Sequence, residues 1–199
     1  MLLPGCTRVV TGAAEMPPTP VTGALLPTGV DVDRIVLDVD QMRAITGAGL
    51  NLSIIPTMDT KYPVDIDSLA ATVPPVCRFV YAETAVFGRD YTQFHKTTFQ
   101  YPPKRALISE AAVAYLDDGA SRRVFDALVD TVVACSGTSA GRKLIGAWDA
   151  GPESLRSRAG RCGAEYRLES AVLLAVTFCG FTESIAELVL TNMAGNVPG

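Results

Sequence analysis

Three stretches of the sequence carry residue types that can do chemistry. Five cysteines are spread along the chain, and the first of them is Cys6. A Gly-Thr-Ser-Ala-Gly stretch occupies positions 137–141, and the positions from Arg89 to His95 combine a cation, a phenol and the single histidine. These residue types are those of covalent modification or cross-linking, of nucleophilic catalysis and of ligand binding, respectively.

The stretch at 137–141 matches by letter the Gly-x-Ser-x-Gly nucleophile elbow of α/β-hydrolases. That elbow needs a strand before the serine, a helix after it and a histidine later in the chain. Here an amphipathic helical pattern precedes the serine, and the only histidine, His95, comes earlier. We therefore predict a flexible loop at 137–141 and no catalytic residue. The chain also lacks the glycine-rich loop, the His-Arg-Asp and the Asp-Phe-Gly of a protein kinase.

Arg89, Tyr91 and His95 are weak candidates for ligand contacts. Arg89 and Tyr91 could offer a cation and a phenol to an anionic or sugar-like ligand, although a turn with a local ion pair also explains Arg89-Asp90. His95 lies in a strand pattern that places it on one face with Tyr91 and Gln93. A hydrogen-bonded surface histidine and a pH-responsive ligand contact both remain open, since imidazole titrates near 6.5.

Cys6 follows Leu3-Pro4-Gly5, which resembles the end of a bacterial lipoprotein signal. In that class of proteins the cysteine is diacylated after cleavage, so Cys6 is the predicted lipidation site. A secretory signal also needs a charged start and an apolar stretch of ~7–15 residues, and only Met1 to Pro4 precede Gly5. We expect the natural start to lie upstream; the alternative is a chance match.

The other four cysteines, Cys77, Cys135, Cys162 and Cys179, form an even set that predicts two disulfides. Two strand patterns meet at a tight turn around Ser170-Ala171, so opposed residues in that hairpin have numbers that sum to 341. Cys162 and Cys179 satisfy the sum and are therefore expected to bond, which leaves Cys77 with Cys135. Disulfides of this kind indicate export. Four buried free thiols are the alternative, and the cysteine spacing does not favour a metal site.

Composition narrows the functional classes. The 199 residues are 48% hydrophobic and carry a net charge of -4, which predicts one globular domain and disfavours nucleic acid and anionic lipid surfaces as partners. No window is apolar enough for a membrane helix. The aspartate pairs lack the oxygen spacing and the distal glutamate of an EF-hand, so no metal is predicted; these pairs are Asp31/Asp33, Asp38/Asp40 and Asp65/Asp67. No cofactor is predicted either.

Element patterns predict an α+β domain from 31 to 199, after a signal remnant at 1–6 and a proline- and glycine-rich linker at 7–30. One further segment, Val76–Phe87, fits a helix or a strand equally well. The predicted strands are Leu50–Ile55, Tyr91–Tyr101, Leu107–Leu116, Leu144–Trp148, Arg161–Glu169 and Val172–Cys179, and the predicted helices are Val39–Thr46, Ala120–Ala134 and one beginning after Thr182.

From about Val36 onward, the order of elements and cysteines resembles the extracellular sensor domain of PknH-type bacterial serine/threonine kinases, which also occurs in stand-alone actinobacterial lipoproteins. The residues that carry the likeness are Leu37, Gly47, Pro75-x-Cys77, the Glu110–Tyr115 strand, Phe125, Cys135, Trp148 and the Cys162–Cys179 hairpin. The resemblance implies an antiparallel sheet flanked by helices, the two disulfides above and a cleft for an extracellular ligand.

Two functional classes follow from these patterns. The first is a non-catalytic, lipid-anchored sensor or ligand-binding domain on the outer face of the bacterial cytoplasmic membrane, with an unidentified small molecule or protein as its ligand. The second is an envelope structural or protein-interaction lipoprotein without a small ligand. A concave cleft with convergent polar groups would favour the first class, and a flat apolar patch would favour the second.

Overall fold

Seven antiparallel strands form one sheet in the computed structural model, which describes residues 29–198. In space the strands lie in the order β1-β2-β3-β7-β6-β5-β4. Their bounds are β1 Ser53–Ile54, β2 Gln93–Tyr101, β3 Ala106–Ala114, β4 Ala147–Ala150, β5 Ser154–Ala159, β6 Cys162–Glu169 and β7 Val172–Cys179.

Six α-helices accompany the sheet in this part of the chain. Their bounds are α1 Val39–Thr46, α2 Asp67–Ala70, α3 Thr84–Phe87, α4 Asp118–Ser136, α5 Ser139–Leu144 and α6 Glu183–Gly195. The predicted α+β class, an antiparallel sheet flanked by helices, is confirmed.

The central strands β3 and β7 are buried on both faces of the sheet. In β7, Leu174 and Val176 point to the face covered by α1 and α6, which is called the α6 face. Leu173 and Ala175 point to the opposite face, which is called the α4 face. Because both faces of the centre are apolar, each needs its own cover, and the two hydrophobic clusters lie on opposite sides of one sheet.

Helix α1 begins and ends where the sequence predicts. The Asp38 carboxylate accepts the backbone N–H groups of Asp40 and Gln41 at 2.9 and 2.8 Å, and the Gln41 side chain accepts the N–H of Asp38 at 2.9 Å. This capping box satisfies amides that the first helical turn leaves free. Gly47 ends the helix with φ +64°, which costs little without a β-carbon.

The β6–β7 hairpin has the predicted register, with Cys162 directly opposite Cys179. Its turn is docked on α4 because the buried Ser121 hydroxyl donates to the Ser170 carbonyl at 2.7 Å. The structure contains a disulfide between Cys162 and Cys179 and a second one between Cys77 and Cys135, the same pairs that the sequence predicts.

The segment predicted as helix or strand, Val76–Phe87, is neither one continuous helix nor a strand. Pro75–Val80 forms a 3-10 helix, and after a short break α3 adds a single α-helical turn that ends at Gly88. Proline at the first position of the 3-10 helix presets its φ angle, and Gly88 adopts φ +68°. The Cys77–Cys135 disulfide ties this segment to the last turn of α4.

Several other elements also differ from the predicted ones. The strand predicted at Leu50–Ile55 shortens to β1, because Gly49–Asn51 forms a 3-10 turn. Helix α4 begins at Asp118, since the Asp117 side chain accepts the Ala120 N–H at 2.7 Å and caps it. The strand predicted at Leu144–Trp148 begins only at Ala147, after α5. The sequence did not predict β5, whose outward positions are arginines and serines.

Cys6 and the linker up to residue 28 lie outside the described residues. Within 29–198, no helix has the length and apolar character that crossing a membrane requires.

Glu110 is a fully buried carboxylate on the α6 face of β3. Its Oε1 accepts the backbone N–H of Leu37 at 3.0 Å, whereas Oε2 is buried and has no hydrogen-bond partner within 29–198. Burial raises the pKa of Glu110 to about 8; the nearby Asp38 charge adds to this effect, and the Leu37 N–H opposes it.

We predict that removing the Cys77–Cys135 disulfide lowers the melting temperature more than removing Cys162–Cys179. The first bond closes a separation of 58 residues and the second one of 17. Loop-closure entropy then favours the longer link by about 1 kcal/mol. Thermal unfolding of Cys77→Ala/Cys135→Ala and Cys162→Ala/Cys179→Ala, followed by circular dichroism, measures the difference. A larger loss in the hairpin variant would contradict the prediction.

We also predict that Glu110 makes the domain less stable as the pH rises from about 4.5 to about 8. Across that window the folded carboxyl keeps a proton that the unfolded chain, with its ordinary value near 4.5, has released. The contribution of Glu110 to the free energy of unfolding is therefore fully present below its pKa in the unfolded chain. It is lost as the pH rises to its pKa in the folded domain. Glu110→Gln keeps an acceptor for Leu37 but cannot ionise, so it should stabilise the domain at pH 8 by a few kcal/mol.

Urea unfolding at pH 5 and pH 8 checks this expectation. The matched control is Asp126→Asn, which neutralises an exposed carboxylate on α4. Equal pH dependence in wild type and Glu110→Gln would show that Glu110 does not keep its proton in the folded state.

Candidate functional site

A cleft opens on the α4 face, on the half of the sheet that α4 leaves uncovered. The apolar stripe of α4, formed by Phe125, Leu128 and Val132, packs in the cluster that includes Val113 and Leu173 of the central strands. Toward the other end of the same strands, the α4 face instead lines a cavity of about 410 Å³. The volume falls within the range of ~300–1,000 Å³ that is usual for small-molecule sites.

Small side chains form the floor of the cleft. The register places Ser109 opposite Thr98 of β2 on one side and opposite Thr177 of β7 on the other, and Thr177 in turn lies opposite Ala164 of β6. The Thr98 and Ser109 hydroxyls are 2.9 Å apart and share a hydrogen bond. A row of uncharged hydroxyls therefore crosses the strands at the bottom of the cleft.

One side of the cleft is a wall formed by two parts of the range 57–87, and it is called the 57–87 wall below. One part is the loop from Thr57 to Ile66, and the other runs from Phe79 to Phe87. Side chains hold these parts together, since Asp65 accepts the Thr84 N–H at 2.9 Å and Glu83 accepts the Val64 N–H at 2.8 Å. The Cys77–Cys135 disulfide anchors the wall to α4.

The cleft contains one ion pair, between Lys96 of β2 and Glu83 of the wall. Both side chains are largely buried, at 15% and 20% exposure, so each charge has the other as its main compensation. The Tyr166 hydroxyl also lies at this end, and burial raises its pKa, with a smaller contribution from the Glu83 charge. The phenol therefore stays neutral and can act only as a hydrogen-bonding group.

The rest of the lining and the rim of the cleft consist largely of apolar side chains. Phe79, Val86, Phe87 and Ile145 are buried in the interior. The rim residues, which are between 36% and 48% exposed, are Met58, Val64, Ile66, Val80 and Leu107.

The structure places the three predicted ligand contacts away from this cleft. Arg89 is exposed in the turn after α3, and Tyr91 is half-buried against Phe94 with ring centroids 5.9 Å apart. His95 lies on the α6 face of β2, because it alternates with Lys96, which faces the cleft. The cleft is thus built from residues that sequence reasoning did not single out.

His95 instead joins two segments of the chain. Its Nδ1 is 3.0 Å from Asp33 in the segment before α1, and its Nε2 is 3.0 Å from Asp59 in the Thr57–Ile66 part of the wall. Asp33 also binds Lys61, and this hydrogen bond holds the pKa of Asp33 below its ordinary value. The Nδ1 contact has the distance of an ion pair but not the angles of a hydrogen bond.

The Gly-Thr-Ser-Ala-Gly stretch connects α4 to α5 and does not line the cleft. Thr138 caps α5 by accepting the Gly141 N–H at 2.8 Å. A β-carbon at Gly141 would lie 1.8 Å from the Cys135 carbonyl oxygen, so this glycine allows α5 to pass close to the disulfide-bonded end of α4. The prediction of a loop is correct at Gly137 and Thr138 and wrong from Ser139, where α5 begins.

No group of three or more histidine, cysteine, aspartate or glutamate side chains suited to a metal ion occurs in the described part of the chain.

One signal could have located the cleft from sequence. The hairpin register sets Thr177 opposite Ala164, and the alternation of β3 puts Ser109 and Ala111 on one face. Such a run of small side chains predicts a sheet surface that neighbouring elements do not fill.

Comparison with known proteins agrees with this architecture. A family model described as the PknH-like extracellular domain matches residues 27–196. The chain belongs to this family. The crystal structure of the extracellular domain of PknH from Mycobacterium tuberculosis matches it with a TM-score of 0.62 and 14% sequence identity, covering 83% of this chain and 95% of that chain. At this identity the likeness shows a common fold. A search of the curated proteins finds no significant match.

Membership in the PknH-like extracellular domain family makes this an extracytoplasmic domain. Two disulfides accord with that location, because such bonds persist in oxidising compartments. The match runs from residue 27 to residue 196, so it covers the predicted domain except its last three residues and includes only the last few residues of the predicted linker.

Proposed function

We propose that this chain is a non-catalytic, ligand-binding sensor domain of the bacterial cell envelope, anchored through Cys6 to the outer face of the cytoplasmic membrane. The observation that carries the proposal is the cleft, which combines apolar walls with convergent hydroxyl groups on a rigid sheet. The middle of the floor belongs to β3 and β7, the two central strands that are buried on both faces, so ligand contacts there would rest on the least mobile part of the fold.

The lining supports binding without chemistry. The serine of the Gly-x-Ser-x-Gly stretch and His95 both lie elsewhere, so neither can act on a molecule in the cleft. Lys96 is engaged by Glu83, which disfavours a role for either side chain as a general base. Binding to the native state alone would stabilise the domain. A sensor also requires that the ligand bind one native conformation better than another, and neither property requires catalysis.

The exposed apolar side chains of the 57–87 wall favour a second candidate, an envelope interaction lipoprotein without a small ligand. In addition to the rim of the cleft, Tyr62 of the wall is 71% exposed, and Leu69 and Val76, which lie between the two parts of the wall, are 43% and 40% exposed. Several exposed apolar side chains within one segment are a feature of protein interaction sites. This candidate predicts that no small molecule binds in the cleft.

A cleft-filling variant distinguishes the two candidates. Ala164→Phe places a ring on the floor, and Ala147→Phe is the matched control at an exposed position of β4 outside the cleft. We expect at least one of trehalose, inorganic phosphate, glutamate and 1-monolauroylglycerol to raise the melting temperature of wild type. A ligand at 100 times its Kd contributes about 2.7 kcal/mol, which is a shift of several degrees.

The control should keep that shift, and Ala164→Phe should lose it. A shift of equal size in both variants would locate binding outside the cleft, and no shift with any of the four compounds would favour the interaction lipoprotein. Circular dichroism of the unliganded variants establishes that both are folded before the comparison is made.

We expect Cys6 to carry the membrane anchor. Expressed from an upstream start with a complete signal, the protein should enter the membrane fraction and incorporate labelled fatty acid, because two or more acyl chains bind a bilayer far more firmly than one. Cys6→Ala should release it into the soluble fraction, while Cys162→Ala/Cys179→Ala, which spares Cys6, should stay membrane-bound. Membrane binding of the Cys6→Ala variant would refute the anchor.

A further inference from the structure

The charges in the cleft compensate one another. Among the described lining residues, the ionisable acidic and basic side chains are Lys96, Glu83 and Glu110. Lys96 and Glu83 pair with each other, and Glu110 directs its carboxyl to the opposite face, where it accepts the Leu37 N–H. An ionised ligand would therefore lose its hydration without meeting a free counter-charge, which disfavours an anionic or cationic occupant.

Apolar surface continues from the interior of the cleft to its rim. Buried aromatic and aliphatic side chains lie inside, and the exposed Met58, Ile66 and Leu107 lie at the opening. A compact polar solute would leave this rim uncovered. A flexible alkyl chain would bury both the walls and the rim, and burial of apolar area contributes about 25 cal/mol per Å².

The polar groups of the floor are neutral. The Thr98 and Ser109 hydroxyls share one hydrogen bond, and Thr177, next in the row, is exposed toward the cleft. Hydroxyls both donate and accept, so this row fits an uncharged hydroxyl, ester or amide group. A cavity of about 410 Å³ lies near the lower end of the usual ligand-site range, which favours a single chain over a two-chain lipid.

We propose that the cleft takes an uncharged single-chain amphiphile, with its alkyl chain against the apolar walls and rim and its polar group on the Thr98–Ser109–Thr177 row. This assignment rests on the proposed ligand-binding function and names the chemical class of the ligand. Thr177 is then a specificity-determining residue, because it presents the exposed hydroxyl of the row.

Displacement of the neutral fluorescent probe N-phenyl-1-naphthylamine tests the ligand class. The protein is the full chain carrying Cys6→Ala, so that no attached acyl chain competes. We expect 1-monolauroylglycerol to displace the probe, and laurate, which has the same chain with a charged head, to bind at least about tenfold more weakly. Trehalose, which has hydroxyls but no chain, should not displace it.

Variants at Thr177 separate charge from shape. Thr177→Val keeps the size of the side chain but removes its hydroxyl, so the affinity for 1-monolauroylglycerol should fall by about three- to tenfold. Thr177→Asp and Thr177→Lys should both weaken it by about tenfold or more, since either charge is desolvated when the chain binds. If only the Thr177→Lys variant binds laurate more strongly than 1-monolauroylglycerol, the result agrees with the proposal. If the protein with Thr177 intact binds laurate more strongly, the proposal is wrong.

The comparison with Ala164→Phe keeps the two proposals distinguishable. If trehalose, phosphate or glutamate stabilises the protein in an Ala164-dependent way and 1-monolauroylglycerol does not bind, the amphiphile assignment is wrong and the ligand-binding function stands. If no compound binds in an Ala164-dependent way, both proposals fail. Displacement by 1-monolauroylglycerol that Ala164→Phe abolishes and Ala147→Phe preserves is the expected result.

Discussion

The central strands β3 and β7 are apolar on both faces, and the rest of the architecture depends on this constraint. Each face must be shielded from water, and the two faces are shielded differently. On one, α1, α6 and the segment before α1 form a continuous cover. On the other, α4 covers only part of the sheet, and a weakly structured wall covers the remainder at a distance. The cleft is the space that this second arrangement leaves.

The wall can stand away from the sheet because specific polar contacts and one covalent bond hold it there. Its backbone has a few 3-10 turns and single α-turns, so regular hydrogen bonding supplies little rigidity. Asp65, Glu83 and the Cys77–Cys135 disulfide replace that missing support. A chain that packed Phe79 and Phe87 tightly onto the floor would bury more area but would have no cavity. The disulfide therefore contributes to the shape of the site as well as to the stability of the domain.

Local chemistry made part of this fold predictable from sequence. The Asp38 capping box with Gly47 determined α1, and a two-residue turn between apolar strands determined the hairpin register and hence which cysteines face each other. The wall could not be predicted, because its conformation depends on contacts between residues some 20 positions apart, such as Asp65 with Thr84. Prediction of the cleft would also have required the order of the strands in the sheet, since its floor combines β2, β3, β7 and β6. Residues chosen for their chemistry alone, such as His95, therefore lie on the face opposite the cleft.

The polar side chains on the two faces of β2 and β3 have different roles. On the α6 face, Glu110 binds the backbone of Leu37 and His95 contacts the side chain of Asp33, so these polar groups hold the segment before α1 on the sheet. On the α4 face, one position along each strand, Ser109 and Lys96 are directed to the cleft. Alternation along a strand is what permits both roles within so few residues. Because Asp59, which binds His95, belongs to the Thr57–Ile66 part of the wall, His95 connects this wall to the segment before α1. A ligand that moved the wall would therefore act directly on the contacts that hold that segment.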